Sequence, residues 1–224
     1  MTENEIQLFH QLLPFYKDLN MEETKMLDKA TKHIAFQTGD LIHNGENDCT
    51  GILVIESGQL RVYILSEEGK EITLYRLMPK ELCILSASCI LRNINFDIHI
   101  DAEKDSNLFL IHTSIYDILK NQNSAVEKFT NELINERFSN TMWVMEQIVF
   151  MSFDKRLAIF LLDQSSLDNT NQLAITHEAI AKHLGTAREV VTRMLKYFQN
   201  EGLVSLSRGI ITLLDKSKLR NLTT

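Results

Sequence analysis

The sequence predicts an α+β protein in three parts: a β-rich N-terminal body, a long helix, and a small C-terminal domain of helices with a hairpin. After His33 the helical spacing of apolar residues gives way to short β-rich runs separated by glycine turns. From about Ser114 to Ser152 the spacing returns to steps of three and four. We therefore expect three segments, which are residues 1–120, 121–152 and 153–224.

Length and composition indicate a water-soluble protein of two ordinary domains. The chain has 224 residues, of which 44% are hydrophobic and 24% charged. No apolar run reaches the roughly 18 residues of a membrane span, and the N-terminus lacks the apolar core of a signal peptide. Cys49, Cys83 and Cys89 form neither an even disulfide framework nor a CxxC pair. A cytoplasmic, reducing location is expected.

The net charge of −7 is unevenly distributed along the chain. Residues 154–224 carry ten Lys and Arg against seven Asp and Glu, whereas residues 1–153 carry thirteen against twenty-three. A mildly basic C-terminal domain on an acidic body is compatible with a polyanionic partner such as nucleic acid.

The N-terminal body is predicted to begin with two helices in residues 3–31, interrupted near Pro14. Regular short strands with glycine turns then favour a β-roll, a small jelly-roll-like sandwich or barrel. The predicted strands are residues 34–36, 40–43, 51–57, 59–65, 71–77, 97–102 and 108–112.

The helical segment after Ser114 is predicted as a short helix to Lys120 followed by a long one. A helix of about 28 residues would span roughly 42 Å, which is more than one small domain covers. A partner helix from a second subunit is therefore expected. The positions assigned to this dimer helix are Phe129, Leu133, Phe138, Met142, Met145 and Val149.

Residues 176–214 predict two helices joined by a tight turn and followed by a hairpin. Thr176 is placed to cap the first helix, and Gly185 to end it in a left-handed conformation. Thr186 and Glu189 have the spacing of a capping box that would open the second helix. The hairpin is predicted from residues 203–206 and 210–214.

The second helix carries a polar face suited to reading DNA. Arg188, Glu189, Thr192 and Arg193 lie opposite its apolar stripe. In the major groove, Arg bonds guanine and Glu accepts from cytosine. An ordinary charged solvent face would have the same composition, but the turn, the cap and the hairpin favour a helix-turn-helix.

Residues 175–219 resemble the C-terminal winged helix of the Crp/Fnr transcription regulators. The resemblance rests on Leu-Gly-Thr at 184–186, Arg-Glu-x-x-x-Arg at 188–193, and the wing ending in Ile-Thr-x-x-Asp at 211–215. The N-terminal body is similar to the same family's cyclic-nucleotide-binding-type β-roll. This similarity rests on Gly39-Asp40-x-Ile42, Gly45-Glu46, residues 52–62 and Pro79.

The resemblance implies a homodimer that binds an inverted DNA repeat and contacts RNA polymerase. It implies base contacts from Arg188, Glu189 and Arg193, and a half-site resembling TGA. For contacts to the DNA backbone we select Thr186, Thr192 and Arg208.

The segment after Pro79, which corresponds to the ligand pocket in the nucleotide-binding members of the family, predicts an effector other than a cyclic nucleotide. Their Gly-Glu positions are taken by Ile84 and Leu85, and their Arg-Ser positions fall near Asn95 and Phe96. A buried phosphate without a cationic partner is costly, so cyclic AMP is not expected. Nor is an iron–sulfur cluster, because its N-terminal cysteines are missing.

In place of those motifs, residues 81–91 place two cysteines and two serines among apolar side chains. A redox or metal sensor built from Cys83 and Cys89, with Ser86 and Ser88 beside them, is one hypothesis. Cysteines that serve only as small buried hydrophobes are the alternative.

Parts of the sequence are also compatible with three other functions. The first is a cyclic-nucleotide-responsive regulator, and the second a β-roll sensor that acts on a protein partner, against which the appended winged helix argues. The third is an enzyme of the cupin type, which needs a close histidine pair. The histidines of the β-rich region show no such pair, so no enzyme is predicted; they are His33, His43, His99 and His112.

Overall fold

The computed structural model describes residues 1–45, 49–90 and 97–223, without the side chains of residues 88–90. The chain divides into two compact units. The N-terminal unit comprises residues 1–65 and 74–141, and the C-terminal unit comprises residues 66–73 and 142–224. The boundaries predicted near residues 120 and 152 remain predictions.

Two capped helices open the N-terminal unit. Helix α1, Glu3–Leu12, begins with a capping box between Thr2 and Glu5. Helix α2, Met21–Lys29, begins with a second box between Asn20 and Glu23. The interruption predicted near Pro14 is confirmed, since α1 ends at Leu12, and a short 3-10 turn, Tyr16–Asp18, follows.

A six-stranded sheet forms the body of this unit, in the order β1-β6-β3-β4, with β2 paired to β6 and β5 to β3. Two predicted breaks are wrong, because residues 52–65 and 99–111 each form one continuous strand. At Gly58 the strand of residues 52–65 does not turn; its pairing with the strand of residues 99–111 shifts register there, and the strand continues. Gly58 has φ +93°, and a Cβ there would lie 2.1 Å from Ser106 Oγ. The strands are β1 Thr31–Phe36, β2 Leu41–Asn44, β3 Ile52–Leu65, β4 Glu71–Leu77, β5 Leu82–Cys83 and β6 His99–Ile111.

The predicted long helix is present, preceded by a shorter one. Helix α3 is Thr113–Gln122, and helix α4 is Ser124–Phe150. Val126, Thr130, Leu133 and Arg137 on α4 are buried in steps of four and three. Leu133 belongs to the core of the N-terminal unit, and Phe129 packs against that core. These two predicted dimer positions therefore contact their own subunit.

The other four predicted dimer positions form a separate, exposed apolar stripe on α4. Their relative exposures are 64% for Phe138, 43% for Met142, 54% for Met145 and 57% for Val149. We call these four residues the exposed stripe. Their spacing of four, three and four residues is that of a coiled-coil seam.

The C-terminal unit has its own core, formed by helices around a three-stranded sheet in the order β7-β9-β8. The predicted helix-turn-helix and hairpin are confirmed. The elements are α5 Phe153–Leu167, β7 Gln172–Leu173, α6 His177–His183, α7 Arg188–Asn200, β8 Val204–Ser207, β9 Ile210–Leu213 and α8 Lys216–Thr223.

The turn between β3 and β4 also belongs to the C-terminal unit and packs on α6. Glu71 forms an ion pair with Lys182 at 3.1 Å, and Thr73 Oγ1 lies 2.8 Å from His183 Nδ1. Ile72 forms an antiparallel β-bridge with Leu184. The segment 66–73 therefore holds the end of α6 through three kinds of contact.

Candidate DNA-binding site

The turn between α6 and α7 fixes how the second helix is presented. Thr176 Oγ1 accepts a hydrogen bond from the Ala179 amide and caps α6, as predicted. Gly185 follows with φ +64°, and the Thr186 amide donates to the Ala181 carbonyl. This 6→1 bond is the helix-ending Schellman pattern.

The prediction that Thr186 caps the second helix is wrong. Helix α7 begins at Arg188, and its N-cap is Ala187, which has no side-chain acceptor. The Thr186 amide donates to the last turn of α6, and Thr186 lies one position before the N-cap of α7. The first amides of α7 therefore have no side chain capping them.

Helix α7 is sharply amphipathic. Val191, Leu195 and Phe198 are fully buried in the core of the C-terminal unit. The opposite face is exposed at Arg188, Glu189 and Arg193, as the periodicity predicted. We call this face the reading face. It borders an open groove of about 480 Å³ lined by Arg188, Glu189, Thr192, Arg193, Lys196, Tyr197 and Asn200.

Thr192 lies on the same helix, but its hydroxyl is engaged within the unit. Oγ1 donates to the Arg188 carbonyl at 2.9 Å, and it lies 2.9 Å from Nδ1 of His177 on α6. Its contact with the DNA backbone remains a prediction. The hydrogen bond between His177 and Thr192 connects α6 to α7. The sequence gave no signal for it, because the two residues are 15 positions apart and lie on different helices.

A second groove runs between the start of α7 and the β8–β9 wing. Its volume is about 430 Å³, and its lining includes His177, Glu178, Arg188, Ser207 and Gly209. Burial lowers the pKa of His177, and the nearby Arg188 guanidinium lowers it further. Arg208 is exposed at the wing turn, between two residues that line the groove. Cationic and hydroxyl groups at this groove are the kind that bind phosphate.

The candidate effector residues are only partly described. Cys83 is a free thiol with 0% exposure, and its burial raises its pKa. Ser86 is buried and donates to the Gly51 carbonyl at 2.6 Å. The side chains of Ser88 and Cys89 lie outside the described residues. Cys49 is disulfide-bonded, which differs from the expectation that the three cysteines are kept reduced.

Sequence reasoning missed a buried cation beside Cys83. Arg137 on α4 is 4% exposed, its Nη2 donates to the Leu82 carbonyl at 3.3 Å, and its guanidinium lies 4.8 Å from the Tyr75 ring centroid. Among the described residues, Arg137 Nε has no hydrogen-bond partner. Burial raises the pKa of Tyr75, with Cys83 adding to the effect. Arg137 lies far along the chain from this segment, so only the fold brings them together.

Of the four positions that correspond to the nucleotide-binding residues of other family members, the structure describes two, and both are apolar and buried. Ile84 and Leu85 are buried in the core of the N-terminal unit, and Asn95 and Phe96 lie outside the described residues. Within residues 1–45, 49–90 and 97–223, no three His, Cys, Asp or Glu side chains are grouped to hold a metal ion. In that same part of the chain, no helix has the length and apolarity needed to cross a membrane.

Comparison with known proteins agrees with this geometry. A family profile of Crp-like helix-turn-helix domains matches residues 155–222. A crystal structure from Eubacterium rectale, assigned to transcriptional regulators of the Crp/Fnr family, is 52% identical to this chain with a TM-score of 0.92. The match covers 95% of this chain and 99% of that one.

More distant curated relatives span nearly the same length. An anaerobic regulatory protein of Aggregatibacter actinomycetemcomitans is 24% identical over 94% of this chain and 83% of its own. The transcriptional activator protein Anr of Pseudomonas aeruginosa is 23% identical over 90% of this chain and 84% of its own.

Proposed function

Because this chain is a DNA-binding transcription regulator of the Crp/Fnr family, we propose that it binds an inverted-repeat operator as a homodimer. We further propose that a small effector or a redox signal at the N-terminal unit controls this binding. A cytoplasmic location and a contact with RNA polymerase are parts of the same proposal.

The observation that carries the proposal is the reading face of α7. Arg188, Glu189 and Arg193 are exposed on a helix whose opposite face is fully buried, so the core sets the helix orientation. Guanidinium groups suit guanine O6 and N7, and a carboxylate suits cytosine N4. We assign base contacts to these three side chains, and backbone contacts to Thr186, Thr192 and Arg208.

The exposed stripe on α4 supports the dimer. Four large apolar side chains in coiled-coil spacing are costly to leave in water, and a second copy of the same helix buries them by pairing stripe against stripe. A two-fold dimer of this kind would place two reading faces about one DNA turn, roughly 34 Å, apart. The operator should then be a two-fold repeat.

Control at the N-terminal unit is supported by groups that the fold buries there. Arg137 carries a charge that is expensive to bury; its Nη1 is paired with Glu136 at 3.1 Å, but its Nε has no acceptor among the described residues. An anionic group would complete its hydrogen bonding. The disulfide at Cys49 supports a redox signal instead, whereas the buried thiol of Cys83, with its raised pKa, makes a poor nucleophile.

The assignment of base contacts is tested with Arg193→Ala. Loss of one bidentate contact should cost about 1–3 kcal/mol and relax preference at one base pair of each half-site. Arg220→Ala is the matched control, since Arg220 is also exposed and cationic but lies on α8. If Arg193→Ala weakened binding equally on every sequence, Arg193 would be a phosphate contact.

The operator and its control are tested by selecting bound duplexes from a random DNA pool, once with reduced and once with oxidised cysteines. An inverted repeat enriched in only one condition would support redox control. The same repeat in both would support the dimeric regulator and direct the search to a small ligand. An enriched site without two-fold symmetry would overturn the dimer proposal.

A further inference from the structure

The described residues that line the groove between α7 and the wing include one histidine, His177. It is part-buried, and its Nδ1 is held 2.9 Å from Thr192 Oγ1. Thr192 Oγ1 also lies 2.9 Å from the Arg188 carbonyl, to which only a hydroxyl proton can be donated. Both hydrogen bonds exist together only if Nδ1 carries a proton and donates it to Thr192.

That arrangement decides what the other ring nitrogen offers. In neutral His177 the proton on Nδ1 leaves Nε2 with a lone pair, which would repel a phosphate oxygen. An imidazolium keeps the bond to Thr192 and presents an N–H at Nε2 as well. Protonation therefore turns the ring from a phosphate-repelling group into a phosphate donor without disturbing the reading helix.

Charged groups from three elements lie in this groove or next to the residues that line it. Glu178 on α6 and Arg188 on α7 line the same groove, and Arg208 lies at the turn of the wing. Carboxylates and guanidiniums keep their charges between about pH 5 and pH 8, whereas imidazole changes its charge in that range. The uncapped first turn of α7 adds a partial positive charge that favours an anion beside Arg188.

We propose that His177 binds a phosphate of the DNA backbone and takes up a proton at Nε2 as it does so. The inference rests on the proposed orientation of the reading face toward DNA. Free His177 is mostly neutral near neutral pH because burial and Arg188 oppose its charge, and the phosphate reverses this balance. Affinity for DNA should therefore rise as the pH falls.

The test measures the dissociation constant of the full-length protein for a selected duplex at about pH 6 and pH 8. At each pH the salt concentration is varied between about 50 and 200 mM. Uptake of one proton raises affinity by at most about tenfold per pH unit and protomer. The added phosphate contact should steepen the salt dependence of log K by about 0.9 per protomer at the lower pH.

Two substitutions and one control isolate His177. His177→Asn retains a hydrogen-bonding group for Thr192 but cannot become charged, so its salt slope should be the same at both pH values. His177→Arg is always charged and should show the steeper slope at both. His112→Asn, at the N-cap of α3 in the N-terminal unit, should behave as the unsubstituted protein, because asparagine also caps helices.

Equal pH dependence in the unsubstituted protein and His177→Asn would overturn the inference. It would mean that the ring meets the phosphate as the other neutral tautomer, with the Thr192 hydroxyl turned toward Nδ1, or does not meet it. If His177→Asn failed to fold, the pH dependence of His177→Arg would decide. Absence of binding to any duplex at either pH would instead count against the proposed function, which separates the two failures.

Discussion

Replacing Gly185 with alanine tests the packing that holds the helix-turn-helix. Gly185 has φ +64°, and an added Cβ would lie 2.4 Å from Cγ1 and 2.8 Å from Cδ1 of Ile72. The left-handed backbone alone costs about 1–2 kcal/mol for a residue with a Cβ. Forcing the methyl against Ile72 adds about 1–3 kcal/mol, as overpacking does in cores.

Gly202→Ala is the matched control for this substitution. Gly202 lies in the same unit with φ +69°, and a Cβ there would meet nothing within 4 Å. Backbone strain and the effect of alanine on the unfolded chain are common to both variants. The difference between their free energies of unfolding therefore isolates the contact with Ile72, and we expect about 1–3 kcal/mol.

The measurement is urea unfolding followed by the fluorescence of Trp143, the sole tryptophan of the chain, which lies in the C-terminal unit. In an Ile72→Ala background the cost of Gly185→Ala should fall to that of Gly202→Ala. Equal costs of Gly185→Ala and Gly202→Ala in the original background would refute the reasoning. Segment 66–73 would then not be packed on the turn in solution.

Three further predictions follow from other parts of the chain. If the proposed dimer forms through the exposed stripe, Met145→Glu should give a monomer in sedimentation experiments, whereas Glu146→Gln, at the neighbouring position, should leave the dimer intact. A dimer unchanged by Met145→Glu would exclude the exposed stripe as the interface. Cys83 should react with a thiol reagent only after unfolding, because it is fully buried and its pKa is raised; rapid labelling of Cys83 in the native protein would contradict the structure. For His33, burial opposes a charge, but hydrogen bonds to Glu5 and Glu56 outweigh it and raise the pKa. The stabilisation from His33 is thus complete below about pH 6.5 and is lost as the pH rises through the raised value, so His33→Gln should remove that part of the pH dependence of unfolding.

Much of the fold follows from local signals in the sequence. The Thr176 cap, the glycine at 185 and the apolar period of α7 are each decided within one or two helical turns, and the structure confirms them. The reading face needed only the helical period, because the buried stripe of α7 fixes which side is exposed. Such features depend on neighbours along the chain.

Errors arose where distant residues decide the local structure. In the sequence Gly58 predicts a turn. In the structure β3 continues through Gly58, where Ser106 of β6 approaches so closely that no side chain would fit. The bond from His177 to Thr192 and the burial of Arg137 beneath Tyr75 likewise join residues far apart along the chain. Spacing and composition carry no information on such pairs.

Control of DNA binding requires a state of the N-terminal unit that changes the free energy of the C-terminal one. The chain passes between the units at residues 65–66, 73–74 and 141–142. The last passage lies within α4, and the first two bound segment 66–73, which contacts Lys182, His183 and Leu184. Those residues end α6, and the next turn sets the start of α7. A shift of β3 and β4 would therefore act on the turn that positions the reading face, while a shift of α4 would act on the exposed stripe. An effector with equal affinity for both states of the protein would leave DNA affinity unchanged however tightly it bound.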